Sequence, residues 1–334
     1  MTALDPKLDA DQATGAAAEL LVGADADTVI EEEVDTRGRI RRVFGDMPWL
    51  VKLSAIWLVL VVFGAIYAKL DISVFGGALP LQDPDLQTNG FNAATGEFGT
   101  GEPIEGPSWD HWLGTDAIAR DTFARVVHGA WVSLIVALIA ATFGVVVGGF
   151  LGSLVGFVRG RTETIIMSMI DVILAFPALI LLLAMVSIFE VRSLTVISLV
   201  IGFLSIPAYT RVARANSLAI SNREFVAAAR AIGTKPRTIL FREVIPNVLP
   251  TLLAYAMVAA AFVIVVEGSL SFLGLSVQLP QSTWGNMINQ ARRDIRVDVS
   301  QVVWPSLALT LTVLSLNQVG DWFQQRGAVR SAAL

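Results

Sequence analysis

Long uncharged apolar runs alternate along this chain with short charged or glycine- and proline-rich intervals. Six runs are long enough, or nearly so, for the ~20 residues a membrane-spanning helix needs. They lie at about Pro48–Leu70, Ala130–Val158, Thr164–Phe189, Ser193–Val212, Asn247–Ser276 and Val299–Phe323. The first has an uncharged core, Leu53–Ala68, between Lys52 and Lys69, whose long stems let the ammonium groups reach the interfaces. The ten-residue alternating segments of a spanning β-barrel are absent. The pattern therefore predicts an all-α membrane protein with six transmembrane helices.

The intervals carry the organisation. Residues 1–47 are an acidic tail followed by a basic cluster (Arg37, Arg39, Arg41, Arg42). Residues 48–70 are the first span, and 71–129 are a Gly-, Pro- and Asn-rich loop closed by an amphipathic stretch. Residues 130–325 hold the other five helices, and 326–334 are a short terminus. With the N-terminus inside, sixteen of the 24 Lys and Arg fall in inner segments and seven in outer ones. The positive-inside rule then favours both termini in the cytoplasm, with 71–129 and 277–298 outside and 213–246 inside.

Composition narrows the function. Only 16% of residues are charged, against about 25% in soluble domains. The net charge of −5 conceals a tail with ten acids and one base in its first 36 residues, so the remainder is positive. No basic stripe of the kind nucleic-acid binding requires is present. Cysteine is absent, which excludes disulfides, thiolate metal sites and cysteine catalysis. His111 and His128 have no metal-ligand spacing. No lysine follows a glycine, so no P-loop exists to cradle a nucleotide. The chain is expected to hold no cofactor or metal, and any energy for its work comes from elsewhere.

Three constellations remain. Gly144, Gly148, Gly152, Gly156 and Gly160 recur every fourth position, a spacing that places them on one helix face and lets another backbone approach closely. Such a stripe serves either a static helix contact or a seam in a moving bundle. Asp171 and Glu267 are acids at membrane depth, where charge is costly. Asp171, near the inner end of its helix, reads as a polar anchor; Glu267 reads equally as an anchor or as a proton or substrate relay. In the cytoplasmic segment, Ser221-Asn222-Arg223-Glu224 predicts a capping box. A helix through Ile232 follows, with Gly233 at its C-terminal stop and Pro236 starting another. Phe225, Ala228, Ala229 and Ile232 form a small apolar face edged by Arg223 and Arg230. That face suits a groove on a soluble partner and equally a layer of lipid headgroups.

The segment from Glu224 to Pro250 resembles the coupling motif of bacterial ABC importer permeases, with Ala228, Ala229 and Gly233 matching and Ala227 in place of the usual acid. The stretch 112–130 is similar to the Leu-Gly-Thr-Asp…Arg-Asp…Arg…Gly signature of the C-type permease in the oligopeptide/dipeptide branch. Leu113, Gly114, Thr115, Asp116, Arg120, Asp121, Arg125 and Gly129 agree; Ala119 replaces a Gly and Ala124 a Ser. Residues 267–280 with Trp284-Gly285-Asn286-Met287, and Asn317…Gly320-Asp321, resemble two further motifs of that branch. The resemblance covers about residues 40–325. It implies a type I ABC importer permease fold and a non-catalytic subunit importing oligopeptides or dipeptides. It implies pairing with a second, homologous permease and with two ATPase subunits, which bind the ATP and Mg. An extracytoplasmic binding protein would deliver substrate. Ser221, Arg223, Glu224, Phe225, Ala228, Ala229, Arg230, Ile232 and Gly233 would then be the ATPase-coupling residues. A permease for nickel or another small solute, a proton-coupled secondary transporter and a membrane scaffold stand as alternatives.

Overall fold

The computed structural model describes residues 47–74, 83–87, 91–92, 97–98, 102–188, 193–277 and 281–332. The acidic tail and residues 75–82, 88–90, 93–96 and 99–101 of the 71–110 loop lie outside the described residues. The chain divides into two units, Met1–Pro48 and Trp49–Leu334, and every helix named below belongs to the second.

The first apolar run forms α1, Trp49–Val74. A two-residue hairpin, β1 (Phe91–Asn92) with β2 (Glu97–Phe98), follows in the loop. The second span starts at α2, Thr122–Phe143, capped by Asp121, whose carboxylate accepts from the Ala124 amide. It passes through a π-helical turn, Gly144–Gly148, into α3, Gly149–Val158. Next come α4, Arg161–Ala175, and α5, Ala178–Ile188. Helix α6 is Leu194–Ser221 and the short α7 is Glu224–Ala231. Helix α8, Pro236–Ile239, runs through a second π-helical turn, Leu240–Val244, into α9, Ile245–Phe272. Helix α10, Trp284–Ala291, and α11, Ser300–Ala332, complete the chain.

Five of these helical runs are long and apolar enough to cross a membrane. The third predicted span differs: α4 and α5 meet at 88° instead of forming one rod. Pro177 lacks the N–H a helix needs and pushes its predecessor toward extended backbone; Phe176 sits at φ −87°, ψ 138°. The fourth span is longer than its apolar run predicts, continuing past Val212 to Ser221. The fifth starts at Pro236, well before Asn247, because the second cytoplasmic helix fuses to it.

Helix α6 is the hub. It packs against α3, α2 and α9, while α11 packs against α9 and α1. Trp57 Nε1 donates to Thr312 Oγ1 at 3.1 Å and Ser54 Oγ to Gln318 Oε1 at 2.9 Å, tying α1 to α11. In hydrocarbon, where apolar burial drives little, such polar bonds and close packing hold helices together. One core lies between α2, α5, α6 and α9, around Val136, Leu182, Ile197 and Ile264. A second lies toward α7, around Tyr209, Val226, Ile239 and Val248.

Candidate functional site

Four of the five stripe glycines form a seam between the second span and α6. A Cβ on Gly148 would stand 2.7 Å from Tyr209 Cβ and 2.8 Å from the Ile206 carbonyl oxygen. On Gly156 it would stand 2.7 Å from the Arg214 carbonyl oxygen. Gly144 faces the Tyr209 ring, and Gly152 the Thr210 carbonyl oxygen and Ala213. Backbone therefore lies on backbone, and Ser217 Oγ donates across the seam to the Ser153 carbonyl at 2.8 Å. Gly160 is a correction to the stripe. The helix ends at Val158, Gly160 adopts φ +70°, and nothing lies within 4 Å of where its Cβ would be.

The two membrane acids occupy opposite environments. Asp171 on α4 receives Arg211 Nη2 from α6 at 2.8 Å, and both side chains are more than half exposed. A second pair, Glu163 with Arg214, joins the same helices. Glu267 is fully buried near the end of α9. Its Oε1 accepts from Ser271 Oγ at 2.6 Å and Ser276 Oγ at 3.0 Å, and its Oε2 from Ser133 Oγ at 3.4 Å. Ser271 also meets Thr283 Oγ1 at 2.9 Å. Thr283 caps α10, whose Trp284 Nε1 donates to the Val126 carbonyl at 2.9 Å. The acid thus sits where α9, α2 and the start of α10 converge. The serine at 133, invisible as a partner in sequence, belongs to this cluster.

At the other end of the bundle, α7 hangs between α6 and α8. Asn222 and Arg223 join it to α6, and Arg159 Nη2 donates to Asn222 Oδ1 at 3.0 Å. The capping box is a second correction. Ser221 ends α6, Arg223 is the N-cap of α7, and no side chain caps that terminus. The C-terminal stop is a Schellman arrangement: the Gly233 amide reaches the Arg230 carbonyl and the Thr234 amide the Ala229 carbonyl, both at 3.0 Å. Gly233 takes φ +80° to allow it.

The faces of α7 also differ from the expected one. Val226 is fully buried in the second core and Ala229 packs half-buried beside it. The guanidinium of Arg230 lies 5.3 Å from the Phe157 ring centroid. Phe225, Ala228 and Ile232 point outward, Ile232 with 83% of its surface exposed. These positions, i, i+3 and i+7, share one helix face. Glu224 is exposed in the first turn. The anchor Val226 was missed in sequence because Phe225 before it and the three alanines after it hide any apolar period.

Residues 144–328 match the family described as binding-protein-dependent transport system inner membrane component. The chain belongs to that family. It is an ABC importer permease, a non-catalytic multi-pass component of the bacterial inner membrane that works with separate ATPase subunits and a binding protein. Among its relatives is the glutathione transport system permease protein GsiD of Pectobacterium atrosepticum, 37% identical over 217 residues, covering 65% of this chain and 72% of that protein. GsiD of Escherichia coli O6:K15:H31 is 38% identical over 216 residues, covering 65% and 71%. Among solved structures, an inward-facing form of the MetNI methionine ABC transporter matches with a TM-score of 0.50 and 17% identity, over 61% of this permease and 97% of that chain. That likeness concerns the fold alone.

Proposed function

We propose that this permease imports oligopeptides or dipeptides, pairing with a second permease and taking its motion from ATPase subunits through α7. The observation that carries the reading is the exposed Phe225–Ala228–Ile232 face on a helix whose opposite side is rooted by Val226. An apolar face of that size standing clear of its own bundle suits a groove on a partner. Two similar proteins are permeases of glutathione transport systems, and glutathione is a tripeptide, which supports a peptide cargo. Force on α7 reaches α6 through a two-residue turn and α9 through α8, because these helices share one packed core. Rigid-body rocking of such a bundle is the physics of alternating access.

Replacing Ile232 and Phe225 by Asp tests this in proteoliposomes holding the whole importer. Labelled dipeptide uptake should fall at least about tenfold while the variant still inserts and assembles with its permease partner. Unchanged uptake contradicts coupling through α7. Uptake of nickel but no peptide by the wild-type importer contradicts the cargo.

A further inference from the structure

At the end of the bundle opposite α7, two arginines are almost completely buried and share a single acid. The side chain of Arg125 is 1% exposed and that of Arg120 is 9% exposed. Arg120 Nε and Nη2 reach Asp116 Oδ2 at 2.8 and 2.7 Å, and Arg125 Nη1 reaches the same oxygen at 3.2 Å. The other oxygen, Oδ1, is taken by the backbone amides of Ile118 and Arg120, each at 3.0 Å. The second acceptor is Gln290 Oε1, 2.9 Å from Arg120 Nη2 and 3.4 Å from Arg125 Nη2. Two guanidiniums carry ten N–H hydrogens, and among the described residues these two oxygens receive them.

A cavity of about 380 Å³ opens against both arginines and is also lined by Arg293, Asp294 and Gln301. Among the charged residues that line it, Arg293 and Asp294 cancel, and Arg120 and Arg125 stand with Asp116; Asp121, close by, is engaged by His111 and the Ala124 amide. Burial and the neighbouring Asp83 push the Asp85 carboxyl above the ordinary carboxylate range, while the field of Arg120, within which it lies, favours its charged form. The partner that best matches a guanidinium fork is a planar carboxylate, bound through two parallel N–H donors.

We propose that this cavity is a carboxylate-binding site on the outer face of the permease, sized for a small organic acid such as the C-terminus of a peptide. The chemistry is independent of α7 and of ATP; only the word outer rests on the orientation argued from the basic residues. Gln290 is the residue to change, since Gln290→Glu sets a carboxylate where the amide oxygen now serves both arginines.

The test uses the assembled importer in nanodiscs without its binding protein, with glycylglycine as probe and glycylglycinamide as control, read by saturation-transfer NMR. Wild type should show transfer to glycylglycine and binding of the amide at least about tenfold weaker, the worth of one charge-assisted pair. Gln290→Glu should weaken glycylglycine binding by about the same factor with a melting midpoint at or above that of wild type. Equal binding of the two probes to wild type overturns the site, as does undiminished glycylglycine binding by the variant. Because the probe comparison on wild type needs no variant, misfolding of Gln290→Glu cannot rescue the idea. Because no ATPase is engaged, failure here is distinct from failure of coupling through α7.

Discussion

Gly233 stands at φ +80° with nothing within 4 Å of the position of a Cβ. Backbone conformation alone therefore restricts it, and residues should rank by their tolerance of the left-handed region. Gly233→Asn should keep most of the transport-coupled ATPase rate, whereas Gly233→Val, β-branched, should lose most of it while inserting normally. Both are read by ATPase assay of the reconstituted importer; equal rates for Val and wild type would count against the docking model. Ala119 shows the same constraint from the other side. It holds φ +58° with a Cβ that the left-handed region disfavours. At Glu267 the partners decide. Glu267→Gln keeps an acceptor for Ser271 and Ser276, while Glu267→Leu strands buried hydroxyls at about 1–3 kcal/mol. Thermal unfolding in nanodiscs should therefore place Leu clearly below Gln, and the reverse order would mean the hydroxyl cluster does not depend on an acceptor there.

Helix elements carry the next predictions. The seam between α3 and α6 has no room for a side chain at Gly152, so Gly152→Leu should cost at least about 1–3 kcal/mol by overpacking. The same change at the outward-facing Val146, 61% exposed, should be nearly neutral; matched unfolding curves for the two would argue against a tight seam. Asp171 and Arg211 bridge α4 and α6. Helix α4 buries just one residue, Ile170, among its fifteen, so ion pairs hold it rather than apolar packing. Charge reversal at either position should detach α4 and slow transport, and the double swap should restore it; no recovery in the swap would assign the two residues separate roles.

How legible these elements were depended on the kind of signal. The spans came from uncharged length, which hydrocarbon demands directly. The stripe at Gly144, Gly148, Gly152 and Gly156 was visible because a period of four sets one face. Gly160 shares the period but lies past the helix end, and period alone cannot report an end. Pro177 was in plain view, yet the uniform apolarity around it concealed a right-angle break. Ser221 and Glu224 have capping-box spacing, but α6 extends through Ser221 and removes the cap. In the Arg120–Asp116–Gln290 cluster, Arg120 and Gln290 lie 170 positions apart, a separation no local pattern reveals.

At the scale of the whole molecule the permease is a bundle whose ends differ. One end carries buried arginines and a hydroxyl-bound acid; the other carries a short helix with its apolar face outward. Helices α6 and α9 join the two. Helix α7 has eight residues, too few to be stable alone in water, so its orientation depends on Val226 and on the turns at its ends. Val226→Asp should uncouple the importer as fully as a change on the exposed face, although it touches no partner. That result, measured as basal ATPase retained and transport lost, would separate a lever from a mere contact patch; full coupling in that variant would deny α7 a fixed seat.

The absence of cysteine in the natural chain makes one measurement decisive. A single cysteine at Ile232 can be labelled from either side of sealed vesicles and cross-linked to single cysteines on the ATPase subunit. Labelling from the cytoplasmic side alone is expected, together with an ATPase cross-link whose yield changes when ATP is added. Labelling from the outside, or a fully assembled importer in which residue 232 never reaches the ATPase, would contradict the account.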